Sequence, residues 1–295
     1  MAAHIAMGGR AHQLGEMMSS RFLGGLLDGS AWPVSGFTRL IQDYGWFHGK
    51  RLSMWLKRHV ERLSGKVDLT FGELARLSEE DPNKYKILSM VATNVTHQCP
   101  HVFDADSTPD VCVWEALRAS MSIPFLFSAI KLPESGLFVD GGLTWNYPLS
   151  VYDYSNYLSN ADDDFLYAVI DQLQDINSKQ FYNKETLGLM VETRSRRKVN
   201  PSELYDENQK IKSFPNYLKA MLGLMTDVTA GNYLSLPDWQ RTIFIEAYGV
   251  RSTDFNISSY GIERLIDSGR RAAVAYLDWF KKPGMEQMNK VVHNN

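Results

Sequence analysis

The chain has 295 residues, of which 44% are hydrophobic and 22% charged, so it can bury a sizeable core and is neither fibrous, low-complexity nor disordered. Its 31 Lys and Arg against 34 Asp and Glu give a formal net charge of -3, which encodes no polyanion-binding surface and argues against nucleic acid as a partner. Two cysteines, Cys99 and Cys112, are too few for a disulfide framework and fit a reducing, cytoplasmic setting. The uncharged apolar stretch Ala119 to Ile130 has 12 residues and contains Pro124, too short to cross a bilayer as a helix. Met1 to Met7 lack the basic start and apolar run of a secretory signal.

In chain order, residues 2 to 20 favour helix, interrupted at Gly8-Gly9. Residues 24 to 46 are dense in turn formers and predict irregular structure. After Gly49, Leu52, Trp55, Leu56, Val60 and Leu63 recur at helical spacing. Thr70-Phe-Gly-Glu73-Leu predicts a short helix with a capping box. Apolar segments at Ile87 to Asn94, Leu137 to Asp140, Phe165 to Ile170 and Thr242 to Tyr248 predict buried strands. Helical patterns lie between them at Val113 to Ser120, Lys184 to Thr193 and Phe214 to Asp227, and a last helix runs from Ile262 to Phe280. The alternation predicts an α/β fold in one domain, residues 1–283, followed by a polar tail, 284–295.

The chemistry concentrates in Ala116-Leu-Arg-Ala-Ser120-Met-Ser-Ile-Pro124-Phe-Leu-Phe127 and Phe138-Val-Asp140-Gly-Gly-Leu-Thr-Trp-Asn146-Tyr-Pro148. A strand that ends in Asp140 and runs into Gly141-Gly142 puts a carboxylate at a strand's carboxyl end, where open α/β sheets keep their sites. By itself Asp-Gly-Gly is also an ordinary turn.

Together the two segments resemble the patatin-like phospholipases, lipid acyl hydrolases with a Ser-Asp dyad. Thr70 to Leu74, Val91 to Asn94 and Thr108 to Asp110 stand in that family's order, so the similarity covers nearly the whole chain up to about the last helix. The resemblance implies a three-layer helix-sheet-helix fold with a mostly parallel sheet, and Asp140 as the dyad base supported by Gly141 and Gly142. It also implies a lipid or ester substrate, transient contact with a membrane surface, and neither cofactor nor metal.

The family's Gly-rich oxyanion loop and G-x-S-x-G elbow are absent, and no Ser of the chain has Gly on both sides two residues away. Gly8-Gly9-Arg10 reads as a decoy. Ala2 to Ala6 match the helix that follows the elbow, so the expectation is a chain that lacks the family's first strands and the nucleophile, and is inactive alone. A truncated frame, a split system and a noncatalytic lipid- or protein-binding relic remain as alternatives.

Other candidates read as structural. His97, Cys99 and His101 alternate, but Pro100 and the missing fourth ligand favour a polar loop over a metal site. His4, His12, His48 and His59 are scattered and suggest no triad. Arg194, Arg196, Arg197 and Lys198 read as a solvated loop, and the Met-rich stripe Phe214 to Met225 as core. Asp153, past Pro148, reads as surface.

Overall fold

Asp28 begins the order of the N-terminal half: its carboxylate accepts from the backbone N–H groups of Gly49, Lys50 and Arg51 at 2.6, 2.5 and 3.1 Å, satisfying donors that a helix start leaves open. The computed structural model describes residues 1–17, 25–28, 40–132, 136–153, 183, 185–192, 234, 236–250 and 257–282. These fall in two compact units, with 1–146 and 257–262 in the first, and 147–153, 183–192, 234–250 and 263–282 in the second.

The first unit opens with α1 (Ala2–Ala6) and α2 (Ala11–Met17), separated by the Gly8-Gly9 break that the sequence foreshadows. Strand β1 (Gly45–Phe47) pairs in parallel with β4 (Phe125–Phe127). Helix α3 (Lys50–Ser64) follows, ended by Gly65 at φ 79°, a left-handed conformation suited to glycine. Helix α4 (Phe71–Glu80) carries the expected capping box: Thr70 Oγ1 accepts from Glu73 N, and the Glu73 carboxylate accepts from Thr70 N.

Strands β2 (Met90–Asn94), β3 (Cys99–Phe103), β5 (Ile130–Leu132) and β6 (Gly136–Asp140) form an antiparallel sheet in the order β3-β2-β6-β5. Every residue of β2 is buried, the apolar Met90, Val91 and Ala92 and the polar Thr93 and Asn94 alike. Helix α5 (Val113–Ser120) buries Val113, Ala116 and Ala119, three small residues at helical spacing that share a core with Phe103, Phe138 and Ala92. At about 25 cal/mol per Å2 of buried apolar surface, burial of this cluster stabilises the unit.

The second unit holds β7 (Gly188–Glu192), α6 (Leu236–Gln240), β8 (Thr242–Glu246) and the greater part of α7 (Ser259–Phe280). The α/β class is thus what the structure shows: the first unit has the parallel pair β1-β4 and the antiparallel sheet, and the second has the parallel pair β7-β8.

Two expectations need correction. The helix expected over Lys184 to Thr193 is instead strand β7, paired in parallel with β8 over five residues. Gly188 and Met190 are buried while Leu189 and Val191 are exposed, a period of two that wins over the helix propensity of Glu, Leu and Met. The polar loop expected around His97 to His101 holds strand β3, in which Pro100 is tolerated because the strand lies at the sheet edge. The expected strand Phe165 to Ile170, the helix Phe214 to Asp227, the Arg194 to Lys198 cluster and the tail 284–295 lie outside the described residues.

Candidate active site

Asp140 ends β6, opposite Ala92 of β2, and its carboxylate Oδ1 accepts from Gly142 N at 2.8 Å across the turn Gly141–Leu143. Its backbone is held from both sides. The N–H donates to the Ser122 carbonyl at 2.9 Å, and the carbonyl accepts from Thr93 Oγ1 at 2.9 Å. Since the Thr93 proton is committed there, the Thr144 hydroxyl donates to Thr93 Oγ1 at 2.9 Å. Among the described residues the second carboxylate oxygen of Asp140 takes no hydrogen bond.

Burial raises the Asp140 carboxyl to about 6, and the Gly142 N–H opposes the shift without cancelling it. The residue is only partly exposed and its carboxyl is largely removed from water.

The two glycines do different work. A Cβ at Gly141 would stand 2.3 Å from the Val91 carbonyl oxygen, so β2 can approach the turn only if no side chain is there. At Gly142 a Cβ would meet Asn146 Oδ1 at 3.1 Å and Asp140 Oδ1 at 3.2 Å, a tight fit against side chains alone.

Ser122 is fixed by Arg118, a fully buried residue whose importance the sequence did not signal. The Ser122 hydroxyl donates to the Arg118 carbonyl at 2.7 Å and accepts from Arg118 Nη1. Arg118 Nη2 also donates to the carbonyls of His48 and Ser128, both at 3.1 Å, tying β1 and β4 to the helix that precedes the site. Gly49, at φ 71°, makes room: a Cβ there would be 2.2 Å from Arg118 Nη2. Burial lowers the guanidinium to about 10, so it remains charged at neutral pH.

The histidines also need correction. His4 of α1 and His59 of α3 are buried and joined, His4 Nδ1 to His59 Nε2, at 3.0 Å. His4 Nε2 faces the Arg10 carbonyl at 3.1 Å and must donate, so His4 Nδ1 accepts from His59 Nε2–H, and His59 Nδ1 accepts from Arg62 Nη2 at 3.3 Å. Burial first, then His4 and Arg62, lower His59 to about 4. Gly9 of the decoy Gly8-Gly9 serves this pair, since a Cβ there would strike the His4 ring at 2.3 Å.

Cys99 is exposed, and His101 packs edge-on against Phe103 and Phe138 with ring centres at 4.6 and 5.3 Å. Among the described residues no three His, Cys, Asp or Glu side chains are grouped to hold a metal, and no helix is long and apolar enough to cross a membrane.

Asp140 is thus a strand-end carboxylate, raised in pKa by burial and followed by two glycines. The patatin-like phospholipase family model matches residues 1–152, and the chain belongs to that family, whose members act on lipid or ester substrates. It is similar to the uncharacterized protein R571 of Acanthamoeba polyphaga mimivirus, 28% identical over 114 residues that cover 39% of this chain and 35% of that protein. It is also similar to the probable lipid hydrolase 463L of Invertebrate iridescent virus 6, 26% identical over 132 residues covering 44% and 45% of the two chains. The chain thus spans less than half the length of these relatives. A solved structure, VipD from Legionella pneumophila, aligns over 89% of this chain and 50% of its own, at 16% identity and a TM-score of 0.43.

Proposed function

We propose that Asp140 is the general base of a lipid acyl hydrolase site and takes the proton of a serine hydroxyl as that serine attacks an ester carbonyl. The observation that carries this is the Asp140 carboxyl held at about 6 on the glycine turn. An ordinary aspartate, with a pKa near ~3.9, is a poor base for a hydroxyl. One at about 6 is stronger and still largely ionised at pH 7.

In the first half-reaction the serine Oγ bonds to the acyl carbon, its proton passes to Asp140, and the ester C–O bond breaks as Asp140 returns that proton to the leaving alcohol. Water then attacks the acyl-serine with Asp140 again as base, releasing the fatty acid and restoring the serine. The substrate is an acyl lipid or ester met at a membrane surface in the cytoplasm. Because none of the serines in the 295 residues lies in G-x-S-x-G, the nucleophile is assigned to sequence outside this chain.

The test compares the 295-residue chain with the product of the reading frame extended upstream of Met1, using a fluorophosphonate probe and phospholipid hydrolysis. The chain alone is expected to take no label, and the extended protein to be labelled and active, with Asp140→Asn roughly 100-fold to 10,000-fold slower. An upstream frame without the elbow supports a noncatalytic, lipid- or protein-binding member instead. Label on a serine of this chain, or full activity in Asp140→Asn, overturns the assignment.

A further inference from the structure

Thr93 is a polar residue in the buried strand β2, only 3% exposed. A hydroxyl taken out of water is costly unless it is hydrogen-bonded, and the bonds of Thr93 go to the two ends of one turn. Its Oγ1 donates to the Asp140 carbonyl at 2.9 Å, where the turn begins, and accepts from the Thr144 hydroxyl at 2.9 Å, where it ends. Between those points the backbone closes on itself, with Thr144 N and Trp145 N donating to the Gly141 carbonyl at 3.2 and 2.9 Å.

The carboxylate depends on the same turn. Asp140 Oδ1 accepts from Gly142 N at 2.8 Å, so the place of Gly142 decides where the carboxylate points. Gly141 permits β2 to come close, since a Cβ there would lie 2.3 Å from the Val91 carbonyl oxygen, and the Thr93 hydroxyl fastens the turn once it is close. Thr144 is exposed, so water can replace it as a partner, whereas the Thr93 hydroxyl is buried. Ser122, whose carbonyl accepts from Asp140 N at 2.9 Å, holds the strand end through its backbone, which a side-chain substitution leaves in place.

We propose that Thr93 is the positioning residue of Asp140: its hydroxyl staples the start of the glycine turn to its end and so fixes the Gly142 N–H that aims the carboxylate. In this role Thr93 acts on the reaction only through Asp140. Its effect on rate rests on the reading of Asp140 as general base, while its effect on the Asp140 carboxyl does not. A merely structural role, a β-branched side chain filling a strand, is met equally by valine, which has nearly the same shape and no hydroxyl.

Thr93→Val, Thr93→Ser and the wild type are compared in the 295-residue chain by 13C NMR titration of the Asp140 carboxyl and by hydrogen exchange of the Gly142 amide. The Gly142 N–H lowers the carboxyl against burial, so a loosened turn in Thr93→Val is expected to raise the Asp140 midpoint and to speed Gly142 exchange by about 10-fold. Thr93→Ser keeps the hydroxyl and is expected to restore most of both. A midpoint and an exchange rate unchanged in Thr93→Val, or changed equally in Thr93→Val and Thr93→Ser, overturn the proposal. If Thr93→Val does not fold, Thr144→Val takes its place: it removes the far end of the staple at an exposed position and is expected to speed Gly142 exchange about 3-fold, and an unchanged rate overturns the proposal. In the protein extended upstream of Met1, Thr93→Val is expected to lower kcat roughly 10-fold to 100-fold at nearly constant KM, as a small misplacement of a catalytic group does. A raised Asp140 midpoint with kcat unchanged upholds the staple and overturns Asp140 as the base, which separates the failure of one from the failure of the other.

Discussion

The Asp140 carboxyl is kept where a negative charge is costly, with one backbone N–H to offset the lost water. A carboxyl whose folded pKa is raised from 3.8 to about 6 binds more protons in the native state between those values. Stability from this group is therefore full below pH ~4 and is lost as pH rises through about 6. Asn is nearly isosteric and carries no charge. Asp140→Asn is thus expected to be more stable than wild type at pH 7.5, by about 1 to 3 kcal/mol, with the advantage shrinking as the pH falls from 6 to 4. Urea melts at several pH values check this, and a variant less stable than wild type at pH 7.5 would show that the charge is better solvated than the site implies.

At the scale of elements, the end of β8's approach is anchored by the ion pair of Arg241 and Asp153. Arg241 Nη1 and Nη2 reach the two Asp153 oxygens, each at 2.5 Å, and Nη1 also donates to the Asn183 carbonyl at 3.0 Å. Asp153 is 4% exposed, so its sequence assignment to the surface is corrected: the residues after Pro148 turn inward to meet a partner 88 positions away. Asp153→Ala would leave a buried guanidinium half paired and is expected to cost about 3 to 5 kcal/mol, read as a lowered melting midpoint of the second unit. A loss under about 1 kcal/mol would mean that Asp238 alone suffices. Such pairs explain which parts of the molecule were legible in the sequence. The capping box at Thr70 and Glu73, the α5 stripe and the Asp140-Gly141-Gly142 turn are local patterns, and each was read correctly. Arg118 with His48, His4 with His59, and Asp153 with Arg241 join residues 55 to 88 positions apart, and a single sequence carries no periodic signal for such pairing. Strand β7 was misread because a Gly-Leu-Met-Val run satisfies either period until a parallel neighbour selects one.

Among the described residues, Asp140 and His59 titrate with opposite sign in one pH range, and His101, which burial also lowers, acts in the His59 direction. His59 is held neutral, its pKa lowered from 6.5 to about 4, so the unfolded chain binds more protons between those values. The stability it contributes is present above pH 6.5 and is lost as pH falls through about 4. Each group is worth about 1 to 3 kcal/mol, and between pH 4 and 6 the Asp140 gain on acidification offsets the His59 loss. The wild-type chain is expected to show a shallow pH dependence of stability there. Asp140→Asn should expose the His59 slope, with stability falling on acidification, and His59→Gln should expose the Asp140 slope, with stability rising. Denaturant midpoints of the three proteins from pH 4 to 7 check the signs, and parallel curves would mean that neither group is shifted as described.

The claim on which the functional assignment turns is that Asp140 is a carboxylate made more basic by its place at the end of β6. Selective 13C labelling of aspartate, with the Asp140 signal assigned through Asp140→Asn, allows its carboxyl to be titrated directly in the folded 295-residue chain. A midpoint near 6 is the expected result, since burial outweighs the single Gly142 hydrogen bond. A midpoint at or below about 4 would contradict it, leaving Asp140 an ordinary solvated carboxylate with no special capacity to activate a serine.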